Sequence, residues 1–326
     1  MQKVLVTGAN GFVGSHVVEK CNEKGLEVWA AIRKSSNLDY LKTSKVNFTF
    51  PDFSNVELLK QEIDEKKYDF IIHIAGITKA RFPREYEQVN ALYTANLGKA
   101  ITECKHKVQK VVFMSSLGAI GPLQYNDGLI TDYTIPTPVT AYGKSKLLAE
   151  EILAALHLPL VVLRPTAVYG PREKDIFILL KTITRGFEPY LGKASQHLSF
   201  VFVKDLAQLT VSALFAPITG SYNVTDGNCY NRYEFAQIVK KLLLNKTFKI
   251  HIPLGIVNLL AILSEKGSGL LNKTSVLNKE KLNELTAANW CCDISRLQSE
   301  LGFSPQYNLQ QGLEESINWY KANQWL

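Results

Sequence analysis

A tyrosine and a lysine four residues apart, Tyr142 and Lys146, are the side chains in this sequence whose types and spacing most directly indicate chemistry. Residues at this spacing share one face of a helix. A nearby ammonium favours tyrosinate, so we expect Lys146 to lower the pKa of Tyr142 from its usual value of about 10. Tyr142 could then exchange a proton with a substrate hydroxyl or carbonyl near neutral pH. Because the same spacing is also common in surface pairs, the position of the pair in the fold decides its meaning.

The elements that must position this pair are strands and helices in alternation. Short apolar runs, most of them β-branched, read as strands buried on both faces of a parallel sheet. They are Val4–Val6, Val28–Ile32, Val46–Phe50, Phe70–Ile74, Val111–Met114 and Leu160–Leu163. Helical patterns such as Val13–Lys24 and Tyr142–Leu156 lie between them. The alternation predicts an α/β fold with a Rossmann-type, doubly wound parallel sheet, and the Tyr-xxx-Lys pair follows its fifth strand.

A serine, Ser116, comes directly after that fifth strand. Ligands of open parallel sheets bind beyond the carboxyl ends of the strands. Ser116 is therefore placed to hydrogen-bond the reacting oxygen beside Tyr142. The commoner role of a serine at a strand end is to cap a turn or helix, and that alternative stays open.

The first strand runs directly into a glycine-rich turn, Thr7-Gly8-Ala9-Asn10-Gly11-Phe12-Val13-Gly14, which opens the first helix. Glycines at a spacing of three allow a tight turn and a close backbone approach to a pyrophosphate. The helix N-terminus adds free N–H groups and the positive end of a dipole. The candidate cofactor contacts here are Gly8, Asn10, Gly11, Phe12, Val13 and Gly14. A glycine turn without a ligand is the alternative.

The end of the second strand indicates which dinucleotide binds. An NAD site usually carries Asp or Glu about 20 residues after the glycines, where it binds the ribose 2′-hydroxyl. This chain has Arg33 there, followed by Lys34 and two serines. Because a guanidinium fork matches phosphate oxygens, Arg33 favours NADP over NAD. The alternative is a solvated arginine at a strand end.

Beyond about residue 172 the strand–helix rhythm is lost. Helical segments alternate there with short strand-like pieces such as Leu198–Val203 and Ser221–Val224. The helical segments are Asp175–Arg185, Asp205–Phe215, Arg232–Leu244 and Leu309–Ala322. We predict a dinucleotide-binding domain over residues 1–171 and a smaller, mixed α/β substrate lobe over residues 172–326, whose strands could rejoin the main sheet.

Composition limits the remaining function classes. The chain has 326 residues, 46% of them hydrophobic and 21% charged, with a net charge of +7 spread along the sequence. A mildly positive surface suits an anionic ligand, whereas nucleic-acid binding is disfavoured because no basic patch is interleaved with aromatic residues.

The five cysteines form no CxxC pair, which predicts a reduced, cytoplasmic chain without disulfides. The longest apolar stretch, Ile252–Leu263, is too short to cross a bilayer and predicts a buried helix near the ligand cleft, with contact with a membrane surface as the alternative.

Taken together, these motifs resemble the extended short-chain dehydrogenases/reductases, in the family of NAD-dependent epimerases and dehydratases. Further marks of the resemblance are Asp52-Phe53 after the third strand, His73-Ile74-Ala75-Gly76 after the fourth, and the run from Arg164-Pro165 to Gly170-Pro171. The resemblance implies that Asp52 and Phe53 lie by the adenine and that Ala75 and Gly76 line the cofactor. It also implies that Pro165 and Val168 border the nicotinamide, and that Lys146 holds the nicotinamide ribose beside its role with Tyr142.

The family resemblance leaves the reaction open. Dehydratases of this kind continue the catalytic strand with Thr-Asp-Glu, whereas Leu117-Gly118 follows Ser116 here, so elimination is disfavoured. Arg33 and the Arg-Pro-Thr run look more like the branch of dihydroflavonol reductases and 3β-hydroxysteroid dehydrogenases. The leading hypothesis is hydride transfer between NADP(H), or NAD(H), and a carbonyl or secondary alcohol of a small apolar or ring-shaped substrate. The alternatives are a nucleotide-sugar epimerase or reductase with tightly held NAD, and a non-catalytic NADP-binding regulator. A homodimer is plausible by the same resemblance, and no metal site is expected.

Overall fold

The computed structural model describes residues 1–259 and 279–326. Its strands are β1 (Lys3–Thr7), β2 (Glu27–Ala31), β3 (Val46–Thr49), β4 (Phe70–His73), β5 (Lys110–Met114), β6 (Leu160–Pro165), β7 (Ala167–Tyr169), β8 (Phe187–Leu191), β9 (His197–Leu198), β10 (Phe200–Phe202), β11 (Gly220–Val224), β12 (Tyr230–Asn231) and β13 (Phe248–Ile252). Its first eight α-helices are α1 (Phe12–Glu23), α2 (Val56–Lys66), α3 (Pro83–Tyr86), α4 (Tyr93–Glu103), α5 (Ala141–Ala155), α6 (Asp175–Thr184), α7 (Val203–Ser212) and α8 (Glu234–Leu243). Further helices span Lys279–Thr286, Ser295–Leu301 and Leu309–Ala322, a π-helical turn (Glu87–Leu92) joins α3 to α4, and 3-10 turns lie at Asp39–Leu41 and Leu117–Ala119.

Seven parallel strands form the central sheet, in the order β11-β6-β5-β4-β1-β2-β3. The chain moves outward from β1 to β3 and then returns to β4 on the other side of β1. Ligands bind at such a reversal of strand order. Thr7 and His73, the last residues of β1 and β4, are register partners at this point. The predicted doubly wound Rossmann-type sheet is confirmed.

Both faces of the sheet are covered, which explains why its strands are apolar without alternation. Val4 and Val6 of β1 join one core cluster, together with residues of α1 and α7. Leu5, between them, joins a second cluster with residues of α2, α4 and α5. The two clusters pack on opposite faces of the sheet, so the carboxyl ends of the strands are held in fixed relative positions.

The C-terminal segments build a lobe from short strand pairs, and one strand returns to the sheet. β13 pairs with β8 in parallel and β12 pairs with β9 in antiparallel orientation. A third core cluster of mainly aromatic and aliphatic side chains lies between α6, α8 and the last helix. β11 pairs with β6 and so becomes an edge strand of the central sheet. The division of the chain at residue 171 stays a prediction.

The expectation of a chain without disulfides is wrong. Cys229 and Cys291 form a disulfide, with their Cα atoms 5.4 Å apart. Their separation of 62 residues gives no signal in the sequence, because the pair meets only through the packing of the lobe. Asn289, two residues earlier, donates from Nδ2 to the carbonyls of Asn126 and Gly128 at 3.1 and 3.0 Å. The disulfide therefore joins the β11–β12 connection to a segment that holds the loop after β5.

The apolar stretch Ile252–Leu263 differs from the buried helix that we expected. Residues 254–259 are helical, but among them Val257 is buried whereas Leu254, Ile256 and Leu259 are 41%, 52% and 58% exposed. Residues 260–263 lie outside the described part of the chain. None of the described helices is both long and apolar enough to span a membrane.

Candidate active site

The glycine turn after β1 packs directly against the end of β4. Gly8 adopts a left-handed conformation (φ +68°), and a Cβ there would lie 2.9 Å from the Ala75 nitrogen. A Cβ on Gly14 would lie 2.1 Å from the Gly8 carbonyl oxygen, and the Gly11 N–H donates to the same oxygen at 3.0 Å. Side chains at these positions would clash with backbone. The turn can therefore be this tight, and this close to Ala75-Gly76, only because it is built from glycine.

Helix α1 begins at Phe12 without a side-chain cap. Its N-cap is Gly11, which has no side-chain acceptor, so the N–H groups of the first turn at Phe12 and Val13 are left for a ligand. The Asn10 amide donates to the Asn37 carbonyl at 3.3 Å and ties the turn to the loop after β2. An uncapped helix N-terminus behind a glycine turn fits the pyrophosphate of a dinucleotide.

Arg33 follows β2, on the solvent-exposed side of the site formed by the glycine turn and the N-terminus of α1. Its side chain is exposed, and its backbone N–H donates to the Ser36 hydroxyl at 3.1 Å. No hydrogen bond or ion pair joins its guanidinium to another side chain in residues 1–259 or 279–326. Nothing acidic lies between Arg33 and Ser36. A phosphate could therefore bind here without displacing a partner.

Asp52 and Phe53 follow β3, one strand further out. The Ser54 hydroxyl and N–H donate to Asp52 Oδ1 at 2.6 and 2.9 Å, and the hydroxyl contact is the main cause that lowers the pKa of Asp52. The Phe53 ring lies 6.1 Å from the His73 ring, measured between centroids. Phe53 thus borders the end of β4, whereas Asp52 is exposed.

A buried hydrogen-bond chain runs from β1 toward helix α5. His73 Nδ1 lies 2.8 Å from the Thr7 hydroxyl, and His73 Nε2 lies 2.8 Å from the Thr94 hydroxyl. The Thr94 hydroxyl donates to the Asn90 carbonyl, so Nε2 carries the proton and Nδ1 accepts from Thr7. Burial, helped by the Lys146 ammonium, lowers the pKa of His73 to about 3. His73 is therefore a neutral, structural link.

Asn90 was missed by sequence reasoning. It lies in the π-helical turn and is fully buried. Its Oδ1 accepts from the Ile77 N–H at 2.8 Å, and its Nδ2 donates to the Ile77 carbonyl and to the Ser145 hydroxyl, both at 3.0 Å. Such turns are frequent at functional sites, but no composition signal marks one in a sequence. Asn90 fixes the segment after Gly76 against helix α5.

Helix α5 approaches the Ser116 turn very closely. Its N-cap Thr140 accepts from the Gly143 N–H at 3.0 Å, which sets the first turn that carries Tyr142. A Cβ on Gly143 would lie 2.2 Å from the Gly118 carbonyl oxygen. Glycine at this position therefore lets the Tyr142 ring lie beside Ser116. The Ser116 Oγ also accepts from the Gly118 N–H at 3.1 Å, so the serine caps the 3-10 turn while facing Tyr142.

The expected lowering of the Tyr142 pKa is wrong for the free protein. Burial raises the pKa of Tyr142 to about 12, although a hydrogen bond with Ser116 acts in the lowering direction, and the carboxylate of Glu284 and the nearby Tyr86 raise it further. Lys146 does not offset this, because its Nζ donates to the Met114 carbonyl at 2.9 Å. The phenol is therefore a protonated donor at neutral pH.

Lys146 is buried between β5 and the end of β4. A Cβ on Gly76 would lie 3.4 Å from Lys146 Nζ, which places the ammonium directly beside the predicted cofactor wall. Its Nζ also lies 4.8 Å from the centroid of the Phe113 ring. Burial lowers the pKa of Lys146 to about 8, against the opposing effect of Glu150. Lys146 therefore remains mainly cationic at neutral pH.

A buried ion pair supports the strand end behind Ser116. Glu150 and Arg164 are 5% and 7% exposed, and Arg164 Nε lies 3.1 and 3.0 Å from the two Glu150 oxygens. The Ser115 hydroxyl donates to the same carboxylate. The predicted nicotinamide neighbours lie just beyond: Pro165 ends β6, and Val168 lies half-buried in β7.

The C-terminal lobe contributes a residue that the sequence did not mark. Glu280, in the helix Lys279–Thr286, accepts from the Ala141 N–H at 2.8 Å, one residue before Tyr142. Glu284 lies four residues further along and so on the same helix face. The Tyr86 ring packs edge-on against the Tyr142 ring with centroids 6.1 Å apart. This helix and Tyr86 thus both contact the turn that carries Tyr142.

The structure therefore brings Ser116, Tyr142, Lys146 and Gly76 together at one edge of the sheet, and Gly8 to Gly14 beside Ala75. Arg33 and Asp52 lie at the far, open end. Within the described residues, no group of three or more His, Cys, Asp or Glu side chains could hold a metal ion.

Comparison with known proteins decides the family. The model of the family described as "NAD dependent epimerase/dehydratase family" matches residues 4–225. The chain belongs to this family. The match covers the sheet from β1 to β11 and every candidate site residue named above except Glu280 and Glu284.

Relatives in the NAD-dependent epimerase/dehydratase family carry several activities in their names. A protein of Methanocaldococcus jannaschii named putative UDP-glucose 4-epimerase is 28% identical, covering 98% of this chain and 99% of its own. The ceramide reductase of Caulobacter vibrioides is 24% identical over 99% of this chain and 96% of its own. The UDP-glucose 4-epimerase of Thermus thermophilus, solved in complex with NAD, superposes with a TM-score of 0.79 at 22% identity, covering 98% and 99% of the two chains. The family members thus share the fold while their named reactions differ.

Proposed function

We propose that this chain is an NAD(P)-dependent oxidoreductase that transfers a hydride between nicotinamide and a carbonyl or secondary alcohol. The observation that carries the proposal is the position of the Tyr142 phenol. The ring lies beside Gly118, as the Ser116 hydroxyl does, and shares the carboxyl edge of the sheet with Lys146, whose Nζ lies beside Gly76. Proton donor, oxygen-polarising group and cofactor wall therefore meet at one place.

NAD(P)H, when bound, supplies the hydride that reaches the carbonyl carbon. The Tyr142 hydroxyl donates its proton to the carbonyl oxygen, since a pKa of about 12 keeps it protonated at neutral pH. The Ser116 hydroxyl, on the same strand end, polarises the same oxygen. Lys146 stays mainly cationic below its pKa of about 8, so it can hold the ribose. The resulting secondary alcohol leaves with both the hydride and the proton.

The residues that would hold the cofactor follow the cleft. The pyrophosphate would be held by the glycine turn, through Gly8, Asn10, Gly11, Phe12, Val13 and Gly14. The adenosine would be held by Asp52 and Phe53. The nicotinamide half of the cofactor would be bordered by Ala75, Gly76, Pro165 and Val168. The family relatives' structures contain NAD. For this chain we favour NADP, because the exposed Arg33 guanidinium, with no acidic neighbour up to Ser36, suits a 2′-phosphate.

The aromatic surface formed by Tyr86 and Tyr142 supports a substrate that is small and apolar or ring-shaped. The reductase named among the relatives is consistent with a ketone substrate. Elimination is disfavoured, because Leu117-Gly118 after Ser116 provides no acid–base group.

A nucleotide-sugar epimerase with tightly held NAD is the second candidate, favoured by the names of other relatives. An epimerase regenerates its cofactor in each turnover, so it shows no net absorbance change at the nicotinamide band. The test is to denature the purified protein and identify any released dinucleotide, and then to assay carbonyl compounds and UDP- or GDP-sugars in parallel. Dissociable NADP(H) with net oxidation supports the proposal. Retained NAD with sugar interconversion contradicts it, and so does cofactor binding without turnover on either panel.

A further inference from the structure

One end of the C-terminal lobe combines exposed apolar and basic side chains on a single surface. We call it the lobe tip: residues 185–187, from the end of α6 to the first residue of β8, together with residues 241–249, from the end of α8 to the start of β13. The Phe248 N–H donates to the Gly186 carbonyl at 2.8 Å, and Phe187 and Phe248 are register partners. The Asn245 amide donates to the carbonyls of Ile183 and Thr184, both at 2.9 Å. The two segments thus form one continuous surface.

Three large apolar side chains project from the lobe tip. Leu244 is 93% exposed, Phe248 72% and Phe187 51%. Their neighbours Leu242 and Leu243 pack against the lobe core, so the change from packed to projecting side chains is abrupt. Leu244 also ends α8 in the left-handed conformation (φ 52°), where glycine or asparagine is usual. Core packing therefore gives no reason for leucine at this position.

The charge of the lobe tip has one sign. Arg185, Lys241, Lys246 and Lys249 are exposed. The segments 181–191 and 240–252 contain a single acidic residue, Glu188, which is 1% exposed and accepts from Lys240 Nζ at 2.8 Å. The exposed cations therefore have no acidic counterpart within the segments that build the tip.

We propose that the lobe tip docks on an anionic lipid surface. Phe and Leu side chains that project between lysines and arginines are the pattern of an interfacial anchor, in which apolar groups enter the acyl boundary and cations meet lipid phosphates. Three projecting side chains do not provide the area of roughly 800 Å² per partner that a stable protein complex buries. The single sign of charge selects anionic over zwitterionic lipid.

Docking by the lobe tip leaves the candidate active site accessible. Helix α6 ends at the tip and begins at Asp175, whose carboxylate pairs with Lys79 in the loop after β4 at 2.7 Å. Its ten residues correspond to about 15 Å. The cleft is thus held away from the docked surface by the length of this helix. The inference goes beyond the proposed function and does not rest on it.

Vesicle flotation tests the docking. The full chain is mixed with phosphatidylcholine vesicles with or without phosphatidylglycerol, at low and high salt. We expect flotation only with anionic vesicles at low salt, because salt screens the attraction. The double substitution Lys241→Glu with Lys246→Glu should weaken binding roughly tenfold or more, since each cation at the surface contributes about 1 kcal/mol. Lys105→Glu with Lys107→Glu makes the same net-charge change elsewhere and should bind like the wild type.

A second pair of variants separates insertion from charge attraction. Leu244→Ser with Phe248→Ser keeps every cation and should still lose binding severalfold, because apolar side chains no longer enter the bilayer. Circular dichroism and turnover on a soluble substrate should be unchanged in both tip variants. Wild-type protein that stays soluble with anionic vesicles at low salt overturns the proposal. Equal losses from the tip pair and the Lys105/Lys107 pair overturn it too, since net charge alone would then explain binding.

Discussion

The two ends of the candidate cofactor cleft are built in opposite ways. At the catalytic end, Lys146 is buried, Tyr142 is half-buried, and both are held by contacts with residues distant in sequence. At the adenosine end, Arg33 and Asp52 are exposed and held only by turns of their own, through Ser36 and Ser54. Burial therefore sets protonation at the first end, whereas solvent competes for every contact at the second.

This difference predicts how substitutions should behave. Changes at the catalytic end remove interactions that water cannot replace, so they should be costly and specific to turnover or folding. Changes at the adenosine end remove solvent-screened contacts, so they should be mild and should alter only the choice of dinucleotide.

The largest effect is expected for Tyr142→Phe, which removes the proton donor and keeps the ring. Turnover should fall by about 10²- to 10⁴-fold, while NADP(H) binding persists because the glycine turn and Lys146 are untouched. Steady-state kinetics and cofactor titration measure the two quantities. Tyr233→Phe, in the lobe, is the matched control. A Tyr142→Phe variant with normal turnover would remove the distinction between the two ends.

Glu150→Ala tests how far the catalytic end depends on its buried support. The Arg164 guanidinium would be left in the interior without its carboxylate, at a cost of about 3–5 kcal/mol in the free energy of unfolding. Urea denaturation measures the loss. Glu151→Ala, at the neighbouring exposed position, should change stability by less than about 0.5 kcal/mol. Equal effects of the two variants would show that the ion pair is dispensable.

Glu280→Ala tests the contact between the lobe and the Tyr142 turn. Loss of the acceptor for the Ala141 N–H should lower kcat about tenfold, the equivalent of one hydrogen bond, while the KM for the cofactor stays the same. Glu280→Gln keeps an acceptor oxygen and should restore most of the activity. If alanine and glutamine behave alike, the carboxylate acts in some way other than positioning Tyr142.

The smallest effect is expected at the adenosine end. Arg33→Ala should weaken NADP binding roughly fivefold and leave NAD binding unchanged, because a single exposed guanidinium contact to phosphate is lost. Calorimetry with both dinucleotides on both proteins measures this, with Lys45→Ala as a control for charge. Tighter binding of NAD than NADP by the wild type would refute the cofactor preference.

The features that could be predicted from the sequence are those with a local signal. The apolar runs gave the six strands β1 to β6, and the glycine spacing gave the turn at Gly8–Gly14. Asn90, Glu280 and the Cys229–Cys291 pair had no such signal. Each depends on a partner at least 13 residues away, brought close by a π-helical turn or by the packing of the lobe. The direction of the Tyr142 pKa shift was wrong for the same reason, because burial is a property of the assembled fold.

The most direct test of the central claim follows the hydride itself. NADPH carrying deuterium at C4 of the nicotinamide is incubated with the protein and a panel of ketones, and the products are examined by mass spectrometry. We predict one deuterium on the carbinol carbon of the product alcohol, with NADP⁺ formed in equal amount, and no transfer with Tyr142→Phe. Sugar interconversion without consumption of NADPH, or no deuterated alcohol from any ketone in the panel, would contradict the assignment of this chain as an oxidoreductase.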